Sequence, residues 1–266
     1  MPFLNSTSGL KVYYEVRGQN GPWLVMLHGL GSNTEIWKLT VPAFQDHFRV
    51  LLLDFPGHGK SGTRVFHSME YYAAILAEVM NALEIKTAHL MGLSMGCAVI
   101  LYYALQYPAS VSSLILQGPV GGITPPWLPW AWPKMLLLLS SVLLMSGLAL
   151  ILGKQRAVAL LNAMPLQTMA HNDFLTRLES KASPYAAACL TLQTGYPPYV
   201  GKLAEILSPV LIIYGAHDLF PRRYFKYIYD HVGGYREQFE VPHAKHVAML
   251  DNPEVYNKAV QAFLNR

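Results

Sequence analysis

The sequence predicts one α/β domain with a mostly parallel central sheet, helices on both faces of the sheet, and one helical insertion. Short apolar runs of strand length alternate with segments of helical spacing before residue 118 and again after residue 209. This alternation is typical of βαβ units, whose strands are buried on both faces. Between the two regions lies an apolar stretch that breaks the rhythm. A chain of 266 residues is long enough for such a domain.

The predicted elements follow from these patterns in chain order. Strands are predicted at 10–17, 23–27, 49–53, 88–91, 111–116, 210–214 and 238–241. Helices are predicted at 41–47, 69–83, 97–107, 222–231 and 253–263.

The α/β rhythm stops at Gly118. Five prolines and three tryptophans follow within a few turns, and weaker helical patterns run from about 155 to 192. The rhythm returns at Pro209. We therefore predict a core formed by residues 1–118 and 206–266, and an apolar helical cap insertion at 119–205. The prolines are 119, 125, 126, 129 and 133, and the tryptophans are 127, 130 and 132.

One segment of the insertion, residues 135–153, carries no charge and lies between Lys134 and Lys154. By length it can span a bilayer. A single span, however, would leave the two parts of the core on opposite sides of the membrane. We therefore favour buried cap helices over an apolar pocket. Peripheral membrane contact through 135–153 is the alternative, with the rest of the chain in water.

The composition narrows the classes of partner. Hydrophobic residues make up 52% of the chain and charged residues 14%, with a formal net charge of +4. No run of Lys or Arg exceeds two residues, which argues against a nucleic-acid partner. The two cysteines have no metal-binding spacing, and the N-terminal residues lack the pattern of a signal peptide. We expect a cytoplasmic protein without a metal or organic cofactor, and the sequence does not give its oligomeric state.

The most informative stretch reads G-x-S-x-G over residues 92–96. An apolar run of strand length, 88–91, precedes it, and a helical stretch, 97–107, follows. A serine between glycines at a strand-to-helix turn fits a sharp, strained turn that exposes its hydroxyl at a helix N-terminus. Ser94 is therefore a candidate nucleophile. The alternative is an ordinary turn whose serine caps the helix.

A serine nucleophile needs a base, and the base needs a group that orients it. Asp218 lies just past the predicted strand 210–214, at the edge where α/β sites form. His246 follows the strand 238–241, and His243 is a nearby competitor. We favour His246, since the order Ser, Asp, His is that of a nucleophile-elbow enzyme. The alternatives are a helix cap for Asp218 and a surface position for the histidine.

Residues 28–31, His-Gly-Leu-Gly, follow the strand 23–27. Glycines there allow the backbone to curl near the nucleophile, so that N–H groups can point at a developing oxyanion. The candidate donors are the backbone N–H groups of Leu30 and Met95. We expect His28 and Gly29 to support this loop, His28 through hydrogen bonds rather than chemistry.

A glycine-rich turn runs from Asp54 to Ser61 after the strand 49–53. It is not a phosphate-binding loop of the type G-x-x-x-x-G-K-S/T, because only one residue separates Gly57 from Gly59. We interpret it as a shaped turn in which Asp54 and Ser61 bond to backbone groups.

Together these pieces resemble the α/β-hydrolase fold superfamily, in particular its capped serine esterases and lipases of the monoacylglycerol lipase type. The resemblance implies Ser94 as nucleophile, His246 as general base, Asp218 as its orienting acid, and Leu30 and Met95 as oxyanion donors. The matching pieces are His28-Gly29, Asp54–Ser61, Gly92–Gly96, Gly215 with Asp218, and His246 with Pro253.

Two positions depart from the usual pattern of the family. Cys97 stands where a second glycine often follows the elbow, and Lys245 stands where a glycine usually precedes the histidine. A serine nucleophile, in place of aspartate, argues against the dehalogenase and epoxide hydrolase branches.

The leading hypothesis is an acyl-enzyme hydrolase for carboxylic esters with an apolar acyl or alcohol part, such as a monoacylglycerol-like lipid. Thioester hydrolysis, C–C bond hydrolysis of a diketone and cofactor-free perhydrolysis use the same three residues, and the fold alone does not choose among them. A non-catalytic ligand receptor on the same fold is the alternative from another class.

Overall fold

The computed structural model describes residues 2–63, 67–120, 151, 156, 168, 171–179, 181–183, 186, 190, 198–220 and 222–266. Within these residues an eight-stranded sheet has the strand order β1-β2-β4-β3-β5-β6-β7-β8. The strands are β1 Phe3–Asn5, β2 Lys11–Arg17, β3 Trp23–Leu27, β4 Arg49–Leu53, β5 Ala88–Leu93, β6 Val111–Gln117, β7 Val210–Gly215 and β8 Arg236–Val241. The pairs β1–β2 and β2–β4 are antiparallel and the others are parallel, which confirms the predicted fold class.

The described helices lie between and after these strands. The α-helices are α1 Val41–Phe44, α2 Met69–Ala82, α3 Met95–Gln106, α4 Asn172–Glu179, α5 Arg222–His231, α6 Ala248–Asp251 and α7 Pro253–Leu264. Three 3₁₀ segments are Thr34–Trp37, Pro108–Ser110 and Pro198–Glu205.

The central strands are apolar at almost every position because both faces of the sheet are covered. In β3 the alternation of side chains places Val25 and Leu27 in one buried cluster, and Leu24 and Met26 in a second cluster. The first cluster receives α2, α3 and α5, and the second receives α1, α6 and α7. The sheet is therefore held between two separate apolar layers.

The parallel arrangement brings the carboxyl ends of β3, β5, β7 and β8 to one edge of the sheet. The segments that follow these four strands carry the predicted oxyanion loop, Ser94, Asp218 and His246. These residues are far apart in sequence, and the topology alone collects them at one edge.

Part of the predicted insertion packs directly on the core. Leu175 and Leu178 of α4 are buried in the same cluster as Trp37. At the surface, Lys181 Nζ lies 2.7 Å from a carboxylate oxygen of Glu35. The helix therefore docks on the 3₁₀ segment that follows the predicted oxyanion loop.

The cap limits 119–205 and the apolar segment 135–153 stay predictions. Apart from Ile151, that segment lies outside the described residues. Among the residues that the structure describes, no helix combines the length and the apolarity that crossing a bilayer requires.

Replacing Leu178 with alanine tests the docking of α4. The side chain is fully buried, so its removal leaves a cavity and should lower the free energy of unfolding by about 2–5 kcal/mol. Urea denaturation measures this change. The control is Leu207→Ala, at a position 73% exposed, where we expect a change within about 0.5 kcal/mol. Equal effects of the two substitutions would contradict the docking.

Candidate active site

Ser94 lies between β5 and α3 in a backbone conformation that a side chain rarely adopts. Its φ and ψ are 53° and −110°. The serine does not cap α3 with its side chain, so the alternative role of a helix cap is not what this residue does. Its backbone N–H donates to the carbonyl oxygen of Gln117 at 2.8 Å. Strain of this kind persists where the surroundings enforce it, and it is concentrated at functional sites.

The flanking glycines are required by space. A Cβ at Gly92 would lie 2.5 Å from the backbone carbon of Gly96, and a Cβ at Gly96 would lie 2.4 Å from the carbonyl oxygen of Leu27. Both distances are far inside van der Waals contact. The G-x-S-x-G pattern therefore follows from the close approach of α3 to β5 and β3.

Asp218 and His246 form a buried pair. His246 Nδ1 lies 3.0 Å from Asp218 Oδ2, and the side chains are 7% and 2% exposed for His246 and Asp218. The other carboxylate oxygen accepts the backbone N–H of Phe220 at 2.9 Å. Because the carboxylate accepts from Nδ1–H, the proton of a neutral ring stays on Nδ1 and Nε2 keeps its lone pair.

The competitor, His243, lies elsewhere. It is exposed and has a left-handed backbone with φ of 55°. The structure thus brings His246 to Asp218, and it leaves His243 on the surface of the turn after β8.

The loop after β3 lies beside the elbow. A Cβ at Gly29 would be 3.4 Å from Ser94 Cβ, so a glycine allows the loop to approach the serine. The turn continues with the N–H of Ser32 donating to the carbonyl of Gly29 at 3.2 Å. Met95 is the first residue of α3, so its N–H is one of those without a partner inside the helix. Leu30 follows Gly29 and is half-buried.

His28 is fully buried and uses both ring nitrogens. Nδ1 donates to the carbonyl of Gly29 at 2.8 Å, and Nε2 accepts the N–H of Phe55 at 3.0 Å. Burial lowers the pKa of His28, and the nearby carboxylate of Asp54 opposes this only in part. The neutral ring therefore ties the oxyanion loop to the turn after β4.

Asp54 organises that turn. Its two carboxylate oxygens accept the backbone N–H groups of Thr34 at 2.7 Å and Lys60 at 2.9 Å. Ser61 Oγ donates to the carbonyl of Asp54 at 2.6 Å and accepts the N–H of Tyr13 at 2.8 Å. All the bonds are to backbone groups, as expected of a shaped turn.

The two departures from the family pattern are accommodated. The Cys97 thiol donates to the carbonyl of Gly92 at 3.0 Å, and burial raises the pKa of this thiol well above its ordinary value, which keeps it protonated and unreactive. The backbone N–H of Lys245 donates to Asp251 Oδ2 at 2.9 Å. This bond anchors the His246 turn to α6.

Three residues that touch the pair were not assigned a role from the sequence. The Gln117 side-chain amide donates to the carbonyl of His246 at 2.6 Å. A Cβ at Gly118 would lie 2.9 Å from the His246 ring. The Phe220 ring lies 4.5 Å from that ring, centroid to centroid. The only sequence signal was their position, just after β6 and beside Asp218.

No group of three potential metal-ligating side chains occurs among the described residues. The functional groups that the structure brings to this edge are a strained serine and an imidazole–carboxylate pair, beside a backbone loop.

The neutral state of His28 makes stability depend on pH. Burial lowers the pKa of His28 and of the half-buried His89, so the unfolded chain binds protons at these residues before the folded chain does. The free energy of unfolding should therefore fall as pH drops below about 6.5, by at most about 1.4 kcal/mol per pH unit and histidine.

Urea denaturation between pH ~7.5 and ~5.5 measures this dependence. His28→Gln should reduce the slope, and His47→Gln, at an exposed position, is the matched control. An unfolding free energy that stays constant over this range in the unsubstituted protein would be evidence against a neutral buried His28.

Known proteins resemble this chain over its whole length. One relative is a 2-hydroxy-6-oxononadienedioate/2-hydroxy-6-oxononatrienedioate hydrolase from Burkholderia vietnamiensis. It is 30% identical to this chain, and the match covers 97% of this chain and 92% of the hydrolase. A 3-oxoadipate enol-lactonase from Acinetobacter baylyi is 23% identical over 98% of this chain and 96% of its own.

The esterase structure from Exiguobacterium antarcticum superposes with a TM-score of 0.84, at 21% identity, over 99% of both chains. At that identity the likeness concerns the fold. Residues 22–253 match the family described as alpha/beta hydrolase fold. With the sheet order and the elbow geometry above, this match means that the chain belongs to the α/β-hydrolase fold family.

Proposed function

We propose that this protein is a serine hydrolase in which Ser94 is the nucleophile, His246 the general base and Asp218 the acid that orients it. The observation that carries the proposal is the strained backbone of Ser94 at the sheet edge that also holds the buried Asp218–His246 pair. A serine that neither caps its helix nor relaxes its φ fits a nucleophile better than a structural residue.

The pair supplies the base that a serine hydroxyl needs. Because Nδ1–H is hydrogen-bonded to Asp218, the lone pair is on Nε2. His246 Nε2 then accepts the proton of Ser94 Oγ as this oxygen attacks a carbonyl carbon. The imidazolium that forms is stabilised by the ionised carboxylate. The His246 side chain is only 7% exposed, so water screens the attraction between the imidazolium and the carboxylate little, and the attraction is stronger.

The backbone N–H groups of Leu30 and Met95 donate hydrogen bonds to the carbonyl oxygen and stabilise the negative charge that develops on it. His246 then gives its proton to the leaving oxygen, and the acyl group stays on Ser94. In the second half of the reaction, His246 takes a proton from a water molecule as the water oxygen attacks the acyl carbon. His246 then returns a proton to Ser94 Oγ as the bond between that oxygen and the acyl carbon breaks, which releases the carboxylic acid. The residues need no metal or organic cofactor for these steps.

We propose carboxylic esters with an apolar acyl or alcohol part as substrates. The Phe220 ring beside His246 offers an apolar contact to the leaving group. Residues 85–172, which span the elbow helix and most of the insertion, contain neither Asp nor Glu. The enol-lactonase relative acts, by its name, on a cyclic ester, which supports ester chemistry. Each buried methylene of a substrate would contribute about 0.8 kcal/mol.

A second candidate is C–C bond hydrolysis of an oxo-acid by the same three residues. The observation that favours it is the relative from Burkholderia vietnamiensis, whose name states a 6-oxo dienedioate as its substrate. A dianionic substrate needs cationic partners, whereas the ring that lies against His246 is the apolar Phe220. We therefore rank ester hydrolysis first. Thioester hydrolysis and perhydrolysis also remain candidates.

The non-catalytic receptor is less consistent with these observations. A receptor has no use for a left-handed serine or for a buried histidine–carboxylate pair, since backbone strain and the burial of polar groups both cost stability. Peripheral membrane contact through 135–153 is a further proposal, which vesicle cosedimentation of the whole chain can test.

Labelling with a fluorophosphonate tests the nucleophile, and a p-nitrophenyl ester series from acetate to palmitate tests the substrate class. We expect the label on Ser94 and faster turnover of medium or long acyl chains than of acetate. Label on Ser94 with turnover of 2-hydroxy-6-oxononadienedioate but not of esters would favour C–C hydrolysis. Acetate turnover equal to that of octanoate would contradict the apolar preference.

Ser94→Ala should lower the hydrolysis rate by at least ~10³-fold, because the substitution removes the attacking hydroxyl. The matched control is Ser113→Ala. Ser113 lies in β6, away from the elbow. Its Oγ is also close to a histidine nitrogen, 2.8 Å from His89 Nδ1. Steady-state kinetics on the best ester should give near-normal rates for the control. Near-normal activity of Ser94→Ala would remove the assignment.

Gly118→Ala should reduce kcat by about 10- to 100-fold, because the new methyl group displaces the His246 ring, and misplacements near 1 Å have effects of this size. Gly9→Ala is the control, since Gly9 also has a positive φ, 76°, and a Cβ there meets nothing within 4 Å. Both variants are compared by steady-state kinetics and thermal unfolding. Equal kcat values for the two would argue that the ring tolerates a methyl group.

A further inference from the structure

We propose that Gln117 is a positioning residue that fixes the general base, His246, relative to the nucleophile, Ser94. The inference rests on the proposed function, since it concerns the same site. It adds a fourth side chain to the three of the catalytic sequence pattern, one that touches no substrate and acts through the backbone of the base.

The location of Gln117 makes this role available. It is the last residue of β6 and is fully buried. β6 pairs with β5, which leads to Ser94, and with β7, which leads to Asp218. A side chain at this strand end is thus centred among the segments that must keep a fixed separation during catalysis.

Gln117 is bonded to both reacting elements. Its carbonyl oxygen accepts the N–H of Ser94 at 2.8 Å, and its side-chain Nε2 donates to the carbonyl of His246 at 2.6 Å. Only the amide nitrogen can donate to a carbonyl, so the side chain has one orientation. One rigid residue therefore joins the strained backbone of the nucleophile to the backbone of the base.

The remaining freedom of His246 is removed by its other contacts. Asp218 holds Nδ1 at 3.0 Å, and Gly118, which follows Gln117, lies so close to one side of the ring that a Cβ there would be 2.9 Å from it. The N–H of Gly118 itself donates to the carbonyl of Ile213 in β7 at 2.9 Å. With the backbone held by Gln117 and the ring held by Asp218, the position of Nε2 is set before substrate arrives.

The simpler interpretation is that Gln117 only satisfies a buried carbonyl. Asn257 in α7 does this elsewhere: its Nδ2 donates to the carbonyl of Leu39 at 3.0 Å, and the residue is 9% exposed. In both amides the side-chain oxygen has no hydrogen-bond partner among the described residues. Asn257 is therefore a matched control that shares the bond and lacks the site.

The experiment compares Gln117→Met with Asn257→Leu in the full chain. Each replaces an amide with an apolar side chain of similar shape and leaves one carbonyl unpaired. We expect Gln117→Met to lower the rate of fluorophosphonate labelling of Ser94, and kcat, by about 10- to 100-fold, with little change in KM. Asn257→Leu should lower the melting temperature by a similar amount and leave both rates unchanged.

Gln117→Glu gives an independent readout. A protonated carboxyl can donate to the His246 carbonyl, and an ionised one can only accept. The labelling rate of this variant, divided by that of the unsubstituted protein at the same pH, should therefore rise as pH falls. If the role of Gln117 is merely structural, this ratio does not rise as pH falls across the folded range.

The outcomes separate the two proposals. Absence of label on Ser94 in the unsubstituted protein would overturn the proposed function and this inference with it. Label on Ser94 at equal rates in folded Gln117→Met and unsubstituted protein would overturn the role of Gln117 alone. If Gln117→Met does not fold, the ratio measured with Gln117→Glu decides: a rising ratio supports positioning and a flat ratio contradicts it.

Discussion

The strained turn at Ser94 is the constraint on which the rest of the site depends. A left-handed serine is unfavourable by itself, so neighbouring elements must enforce it. Here β5 and α3 enforce it by approaching so closely that Gly92 and Gly96 cannot carry a side chain. The N–H of Ser94 is then fixed on β6 through Gln117. The apolar layers on the two faces of the sheet stabilise the fold and offset the free-energy cost of this local strain.

The loops around the elbow are rigid for a different reason. Two buried polar side chains, His28 and Asp54, make hydrogen bonds to backbone groups of neighbouring turns. A buried polar group must be satisfied, so each of these bonds fixes a loop as well as a side chain. In the proposed mechanism, this packing is what holds the oxyanion donors in place before substrate binds. Helix α4 adds an outer support through Leu178, and Lys181, two residues past the end of the helix, pairs with Glu35.

Most of the core could be predicted because its strands are buried on both faces and read as unbroken apolar runs; β3 and β4 begin and end where the sequence places them. The two edge strands of the sheet are harder to predict from the sequence. β1 has three residues and no period to detect. β8 begins two residues earlier than predicted, with Arg236 and Glu237, because an edge strand tolerates charge. The elbow, Asp218 and His246 carry local patterns. Gln117 and Gly118 act only through tertiary contacts, and no local pattern identifies them.

The origin of the site residues has a consequence for how this protein can be studied. The loop after β3, the elbow after β5, and the turns after β7 and β8 come from both ends of the chain, and each contributes one part to a single edge of the sheet. A fragment that contains all the parts must span at least residues 28–246, and the contacts between them form only when distant strands pair. Under the proposed function, covalent capture of Ser94 therefore reports the fraction of molecules in which these strands are paired, so a reagent that labels Ser94 is also a probe of refolding.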